Sequence, residues 1–124
     1  MTATTAAELE NVVRGAVGSS ELVEFARFDA GEVVRKSQGG HGPRILRLVV
    51  GNPLIMKEMA KTVPDAAAYA PVTILVDERA DGVHLSYDSM ASLLAPCGSQ
   101  SALAVARDLD AKIENLLINV TRTD

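Results

Sequence analysis

The sequence predicts an α+β fold: a mainly antiparallel β-sheet with helices packed on one face and a long C-terminal helix. Three observations lead to it. Residues 72–78 and 83–88 alternate as a hairpin, residues 44–50 form an aliphatic strand that runs straight into a helix, and residues 101–120 carry one apolar stripe at helical spacing. A strictly alternating parallel fold is the alternative, which the strand-to-helix step at Gly51 would suit and the hairpin would not.

Two helices flank the first predicted strand. Apolar residues recur at helical spacing over residues 5–17, and the Gly-Ser-Ser run at residues 18–20 ends that pattern. Asp29 is a residue type that caps helices, and it precedes a short helical turn over residues 30–36. This part of the chain is therefore predicted to run helix, strand, helix.

The strand between those helices is predicted over residues 21–28, where the alternation is mixed. It places Val23 and Phe25 on one face and Leu22, Ala26 and Phe28 on the other. Apolar residues therefore fall on both faces of this predicted strand.

The strand of residues 44–50 is connected to the next helix through Gly51, Asn52 and Pro53. Gly51 bends without a Cβ clash, Asn52 is a preferred N-cap, and Pro53 suits the first helical position. Residues 37–43, which contain three glycines and a proline, form the loop before this strand. Small ligands are often held at such a strand-to-helix junction, so the sequence predicts a candidate site here.

The second half of the chain is a hairpin followed by the longest helix. The turn at residues 79–82 contains an Asp-Gly pair, a strong hairpin signal. Ser99 or Ser101 is placed to cap the final helix, and Asp108 and Lys112 stand four residues apart on its polar face.

Composition excludes several classes of protein. The 124 residues suffice for a single domain spanning 1–124, and a net charge of −4 with only two Phe and two Tyr argues against a nucleic-acid partner. No apolar run approaches the length of about 20 residues that crosses a bilayer, so no membrane partner is expected. One cysteine permits no internal disulfide, and the N-terminus lacks the pattern of a signal peptide. The expected location is the cytoplasm.

Three blocks of sequence resemble a known family. They are residues 48–53, an aliphatic run ending in Gly-Asn-Pro; residues 70–78, where a proline introduces a Val- and Leu-rich strand; and residues 83–88, which contain Ser-Tyr-Asp. In this order and spacing they are similar to the domain-of-unknown-function family 302. The resemblance implies a sandwich of the TATA-box-binding-protein-like kind, cytoplasmic proteins that pair as homodimers, and no established activity. The motif positions it carries over are Gly51, Asn52, Pro53, Pro71, Ser86 and Tyr87.

The chain departs from that family pattern at two places. A strand that often precedes the first helix is short or absent at the N-terminus. Where relatives often carry an Arg-His pair followed by Gly, this chain has Pro96, Cys97 and Gly98. A role of that histidine in relatives would fall to a thiol here or be lost.

Each candidate residue also has a simpler structural interpretation. Asn52 can be a helix cap alone, and Tyr87 with Ser86 can be a core residue whose hydroxyl finds a partner at the rim. His41 and Arg44, with Arg35 and Lys36, lie around a glycine-rich loop that could close over an anion or simply be solvated. Cys97 precedes a helix, which favours a reactive thiol, but no orienting partner is evident.

The sequence predicts neither a metal site nor a cofactor. His41, His84 and Cys97 lack the close spacing of zinc ligands, and no phosphate-binding glycine motif is present. Three functions stay open: a homodimeric protein that binds a small anion near Asn52 and Tyr87, a thiol-dependent enzyme or redox sensor using Cys97, and a structural assembly module. Whether the protein is an enzyme is not decided by the sequence.

Overall fold

A computed structural model describes residues 5–18 and 20–121. The expectations about the N-terminal leader and leading strand, and the part of Ser19 in ending the first helix, lie outside the described residues. The five helices are α1 (Ala6–Gly18), α2 (Ala30–Ser37), α3 (Pro53–Ala60), α4 (Met90–Leu94) and α5 (Gln100–Thr121). The four strands are β1 (Val23–Asp29), β2 (Ile45–Gly51), β3 (Val72–Arg79) and β4 (Gly82–Tyr87), and short 3-10 helices occupy Pro64–Ala68 and Ala95–Cys97.

The strands form one antiparallel sheet in the order β1-β2-β3-β4. Each strand pairs with the next along the chain, so the parallel alternative is wrong and the α+β prediction is confirmed. The register places Phe28, Arg47, Leu75 and Ser86 opposite one another in a single row across the four strands.

The two faces of the sheet differ sharply in burial. On β2, Leu46, Leu48 and Val50 are buried, whereas the alternate residues are exposed, as Arg47 is, or half-buried, as Ile45 and Val49 are. On β3, Ile74 belongs to the same buried core. Because alternate residues point to opposite faces, one face of the sheet packs into the core, and the more exposed opposite face is here called the open face.

The first strand deviates from the predicted alternation. A bulge between Glu24 and Ala26 shifts its register, so Arg27 lies opposite the buried Leu48 and Phe28 lies opposite the exposed Arg47. Phe28 is therefore 50% exposed, on the face opposite to the core. The prediction that Phe28 shares a face with the buried Leu22 is wrong, because one extra residue reverses the alternation.

The longest helix, α5, binds the helical layer together. It contacts α1, α3 and α4 and buries Leu109 and Ile113. Ser99 caps it, since its Oγ accepts a hydrogen bond of 3.2 Å from the backbone N–H of Ala102. Lys112 donates to Glu21 at 3.1 Å, so the structure pairs it across elements.

Candidate functional site

Asn52, at the predicted site, uses its whole side chain for structure. Its Oδ1 accepts hydrogen bonds from the backbone N–H groups of Leu54 and Ile55, at 2.8 and 3.3 Å. Its Nδ2 donates to the carbonyl of Glu21 at 3.0 Å. With Pro53 at the first turn of α3, the donors of this helix start are already largely used or absent.

The space beside this junction is correspondingly small. A cavity lined by Gly51, Asn52 and Pro71 has a volume of about 10 Å³, no more than a single water needs. A Cβ on Gly51 would meet the Cβ of Pro71 at 3.3 Å. Glycine therefore allows the end of the strand to pack closely against Pro71, whereas a larger residue would have to displace this proline slightly.

The predicted basic loop does not present its arginine as a free cation. Nη2 of Arg44 lies 3.5 Å from Oε2 of the buried Glu10, and the backbone N–H of Arg44 donates to Glu78 at 2.7 Å. Within the described residues His41 is exposed and makes no hydrogen bond or ion pair. Arg35 is paired with Asp29 at 3.2 Å.

The other candidate ligands are dispersed. Cys97 is a free, exposed thiol at the end of a 3-10 helix. His84 lies 2.6 Å from Asp81, and the neighbouring Asp77 keeps its Oδ1 buried without a hydrogen-bond partner among the described residues. In the part of the chain that the structure describes, no group of three or more His, Cys, Asp or Glu side chains is placed to hold a metal ion.

Tyr87 reaches from the sheet into the helix layer. Its hydroxyl donates to Oδ1 of Asp110, which also accepts a 2.7 Å bond from the backbone N–H of Met90. Oδ2 of Asp110 accepts from the Ser89 hydroxyl at 2.8 Å and from the N–H of Ala91 at 3.0 Å. Asp110 is only 6% exposed, so a buried carboxylate on α5 holds the end of β4 and the start of α4 together.

The side chains of Tyr87 and Asp110 shift each other's pKa. Burial, together with the hydrogen bond and the negative charge of Asp110, raises the pKa of Tyr87 far above its usual value. For Asp110, burial acts to raise the pKa, but the hydrogen bonds from Tyr87, Ala91, Ser89 and Met90 outweigh it and lower the pKa. This arrangement keeps the phenol neutral and the carboxylate charged.

A groove of about 410 Å³ opens where β3 begins and β4 ends. We call it the sheet-face groove. Its polar lining comes from Arg47, Tyr69, Thr73, Ser86, Tyr87 and Asp88, and its apolar lining from Ala68, Pro71, Val72, Leu75 and Leu93. The structure thus brings the predicted Ser86 and Tyr87 into one groove, whereas Asn52, Arg44, His41 and Cys97 do not line it.

Arg47 gives the sheet-face groove an unpaired positive charge. Its Nε donates to Oγ1 of Thr73 at 2.9 Å, and its guanidinium carbon lies 5.6 Å from the centre of the Phe28 ring. Five other arginines each lie beside a carboxylate: Arg14, Arg27, Arg35, Arg44 and Arg79. Among the described residues, no carboxylate pairs with Arg47.

Two other depressions on the surface lack an unpaired positive charge among the described residues. One of about 390 Å³ lies between α1 and α5, but its two charged residues, Glu21 and Lys112, pair with each other at 3.1 Å. A shallow one of about 540 Å³ is lined by Asn52, whose side chain is engaged in capping, and by the exposed Leu54. The sheet-face groove is therefore the stronger candidate.

Local sequence patterns do not single out Arg47 as a site residue. Arg47 occupies an alternate position of an aliphatic strand, which is typical of a solvated residue, and its role depends on Thr73 and Phe28 from other strands. Asp110 does carry a signal. It lies four residues after Ala106 and three before Ile113, and so falls on the buried stripe of α5.

Within residues 5–18 and 20–121, no helix combines the length and apolar character that crossing a membrane requires.

Comparison with solved structures supports the fold. The chain is similar to the crystal structure of an uncharacterized conserved protein DUF302 from Bacillus stearothermophilus, with a TM-score of 0.86 and 12% sequence identity. The similarity covers 98% of this chain and 94% of that chain. No curated protein matches the chain.

The family is shown by the sequence itself. The family described as "Domain of unknown function DUF302" matches residues 1–120, nearly the whole chain. The match includes all three blocks whose residues resemble this family and the strand and helix elements that build the sheet-face groove. The chain belongs to the domain-of-unknown-function family DUF302.

Proposed function

We propose that the protein binds a small molecule with an anionic group in the sheet-face groove, where Arg47 contacts the anion. The observation that carries the proposal is the guanidinium of Arg47, which is oriented by two neighbours but paired with no carboxylate among the described residues. Leu75 and Leu93 offer apolar surface for the rest of the molecule, and the hydroxyls of Ser86 and Tyr69 offer further hydrogen bonds.

The setting of Arg47 suits recognition of a carboxylate or phosphate. The hydrogen bond to Thr73 uses Nε, and the Phe28 ring lies beside the guanidinium, so two contacts restrict the side chain. The terminal nitrogens Nη1 and Nη2 have no partner among the described residues. They can bind an anion in the two-pronged geometry that arginine favours, with little further ordering of the side chain.

An NMR titration with 3-phenylpropionate tests this proposal. The wild-type protein should show amide shifts centred on Thr73, Leu75 and Ser86. Arg47→Gln should weaken binding by about tenfold or more, the loss of roughly one charge-assisted hydrogen bond. Arg107→Gln is the matched control, because Arg107 is exposed on α5 and outside the groove. Unchanged binding by Arg47→Gln, or shifts centred on Asn52, would refute the proposal.

A second candidate function is self-association through the edge strand β1. Three large apolar side chains of this strand, Val23, Phe25 and Phe28, are each about half exposed. Because β1 lies at one edge of the sheet, two copies could pair it antiparallel about a two-fold axis, as a symmetric dimer requires. Such pairing would cover apolar surface and the free edge together.

Sedimentation velocity measurements test the dimer. Val23→Lys places a charge on the pairing edge and should shift the protein to a monomer. Val33→Lys makes the same change on the exposed surface of α2 and should leave the dimer intact. A wild-type protein that stays monomeric at high concentration, or a dimer that survives Val23→Lys, would exclude this interface.

A further inference from the structure

We infer that the ligand of the sheet-face groove is a small zwitterion with an apolar body, whose acidic group contacts Arg47 and whose ammonium contacts Asp88. This inference rests on the proposed function and names the class of its ligand. Asp88 lines the same groove, is exposed, and makes no hydrogen bond or ion pair among the described residues. The groove thus carries two unpaired charges of opposite sign.

The two charges lie in one groove, on either side of β3. Arg47 is on β2 and donates its hydrogen bond to Thr73 of β3. Asp88 directly follows Tyr87, which ends β4 and lies opposite Ile74. Both charged side chains line the sheet-face groove, yet they are not joined by an ion pair within 4.0 Å. The space between them is available to a ligand.

Each charge affects what the other can bind. A simple anion on Arg47 would lie near the carboxylate of Asp88, and a simple amine on Asp88 would lie near the guanidinium of Arg47, so each would meet a like charge. A molecule with both groups pairs each of its charges with an opposite one and avoids both repulsions. Specificity of this kind combines attraction to the right ligand with repulsion of the wrong ones.

The lining of the groove also restricts the body of the ligand. Leu75 and Leu93 supply aliphatic surface, and the ring of Tyr69 is exposed beside them. A hydrocarbon or aromatic side chain would gain from burial against these residues. An amino acid with an apolar side chain combines this body with the two charged groups.

Three compounds that share one aromatic body separate the possibilities. They are phenylalanine, with both charges; 3-phenylpropionate, with the acid alone; and 2-phenylethylamine, with the ammonium alone. We expect the wild-type protein to bind phenylalanine about tenfold more tightly than either of the others, the gain of roughly one further charged contact. Binding is measured by NMR titration, in which amide shifts near Thr73 and Ser86 report the site.

Two variants assign the charges. Asp88→Asn should remove the advantage of phenylalanine over 3-phenylpropionate, and should leave binding of 3-phenylpropionate the same or tighter. Arg47→Gln should weaken both acids. Asp108→Asn, an exposed change on α5, is the matched control and should alter none of the three affinities.

The outcomes show separately whether zwitterion binding fails or whether the proposed anion binding fails. If 3-phenylpropionate binds as tightly as phenylalanine and Asp88→Asn changes neither, the ligand is a simple anion and the inference is overturned while the proposed function stands. If phenylalanine does not bind in the groove, the inference also fails. If both acids bind and Arg47→Gln changes neither affinity, the proposed function fails as well.

Discussion

The hydroxyl of Tyr87 donates a 2.5 Å hydrogen bond to Oδ1 of Asp110, which joins the last residue of β4 to the middle of α5. The same carboxylate accepts two backbone N–H groups at the start of α4, and Leu93 of α4 lines the sheet-face groove. One buried acidic residue therefore fixes one wall of the groove from the far side of the sheet. The tyrosine of the family motif is used for this link.

Removing Asp110 should destabilise the fold far more than removing an exposed carboxylate of the same helix. Asp110→Ala leaves the Tyr87 hydroxyl, the Ser89 hydroxyl and two backbone donors without their acceptor. We expect a loss of about 3 kcal/mol or more in the free energy of unfolding, since each stranded donor costs about 1–3 kcal/mol. Urea denaturation measures it. Asp108→Ala, two residues away and exposed, should leave the free energy of unfolding nearly unchanged. Equal losses in both variants would contradict the structural role of Asp110.

Alkaline pH should reveal the hydrogen bond of Tyr87. Its pKa is raised in the folded state, so the stabilisation is fully present below the unfolded pKa of about 10 and is lost as pH rises above that value. The free energy of unfolding of the wild type should therefore fall above about pH 10 more steeply than that of Tyr87→Phe. Tyr69→Phe is the control and should follow the wild type. Parallel curves for wild type and Tyr87→Phe would show that no such bond exists.

The cap at Asn52 should matter for stability but not for binding. Asn52→Ala removes the acceptor for two N–H groups of α3, and loss of an N-cap typically costs about 1 kcal/mol. The affinity for 3-phenylpropionate should stay unchanged, because Asn52 does not line the groove. Thermal unfolding and NMR titration together check both statements, with the exposed Asn115→Ala as control. An Asn52→Ala variant that folds normally but no longer binds 3-phenylpropionate would show that the binding site lies at the strand-to-helix junction.

A second buried carboxylate, Glu10, ties α1 to the sheet. It is 5% exposed, and its Oε1 accepts a 2.6 Å bond from Nε of Arg27 while Arg44 approaches its other oxygen at 3.5 Å. Because these arginines are partly exposed and water can hydrate them, Glu10→Gln should cost only about 1–2 kcal/mol in the free energy of unfolding. Urea denaturation against Glu32→Gln, in an exposed pair with Lys36, provides the comparison. No difference between the two variants would mean that burial adds nothing to this pair.

The elements could be predicted because their signals are local. Asn52 caps α3, Asp29 caps α2 and Ser99 caps α5, each through a hydrogen bond within three residues of the cap. The hairpin of β3 and β4 follows from alternation on both sides of a short turn. This hairpin already predicted a mainly antiparallel sheet, and the resemblance to the family implied the same arrangement of a sheet with helices on one face.

The site could not be predicted in the same way because it depends on contacts between distant segments. The bulge in β1 turns Phe28 towards the open face, where it lies beside Arg47, and no local pattern announces that extra residue. Asn52 is also used structurally: its Oδ1 caps α3, and its Nδ2 donates to the carbonyl of Glu21. A charge without a partner, such as that of Arg47, can be recognised only when the positions of the other charged side chains in the fold are known.

A crystal structure of the protein with 3-(4-bromophenyl)propionate would show directly whether Arg47 binds an anion in the sheet-face groove, since the bromine marks the ligand by its anomalous signal. We expect the carboxylate at about 2.7–2.9 Å from the terminal nitrogens of Arg47, with the ring against Leu75 and Leu93. A bromine peak beside Asn52 and Leu54, or a carboxylate that Arg47 does not touch, would contradict anion binding at this arginine.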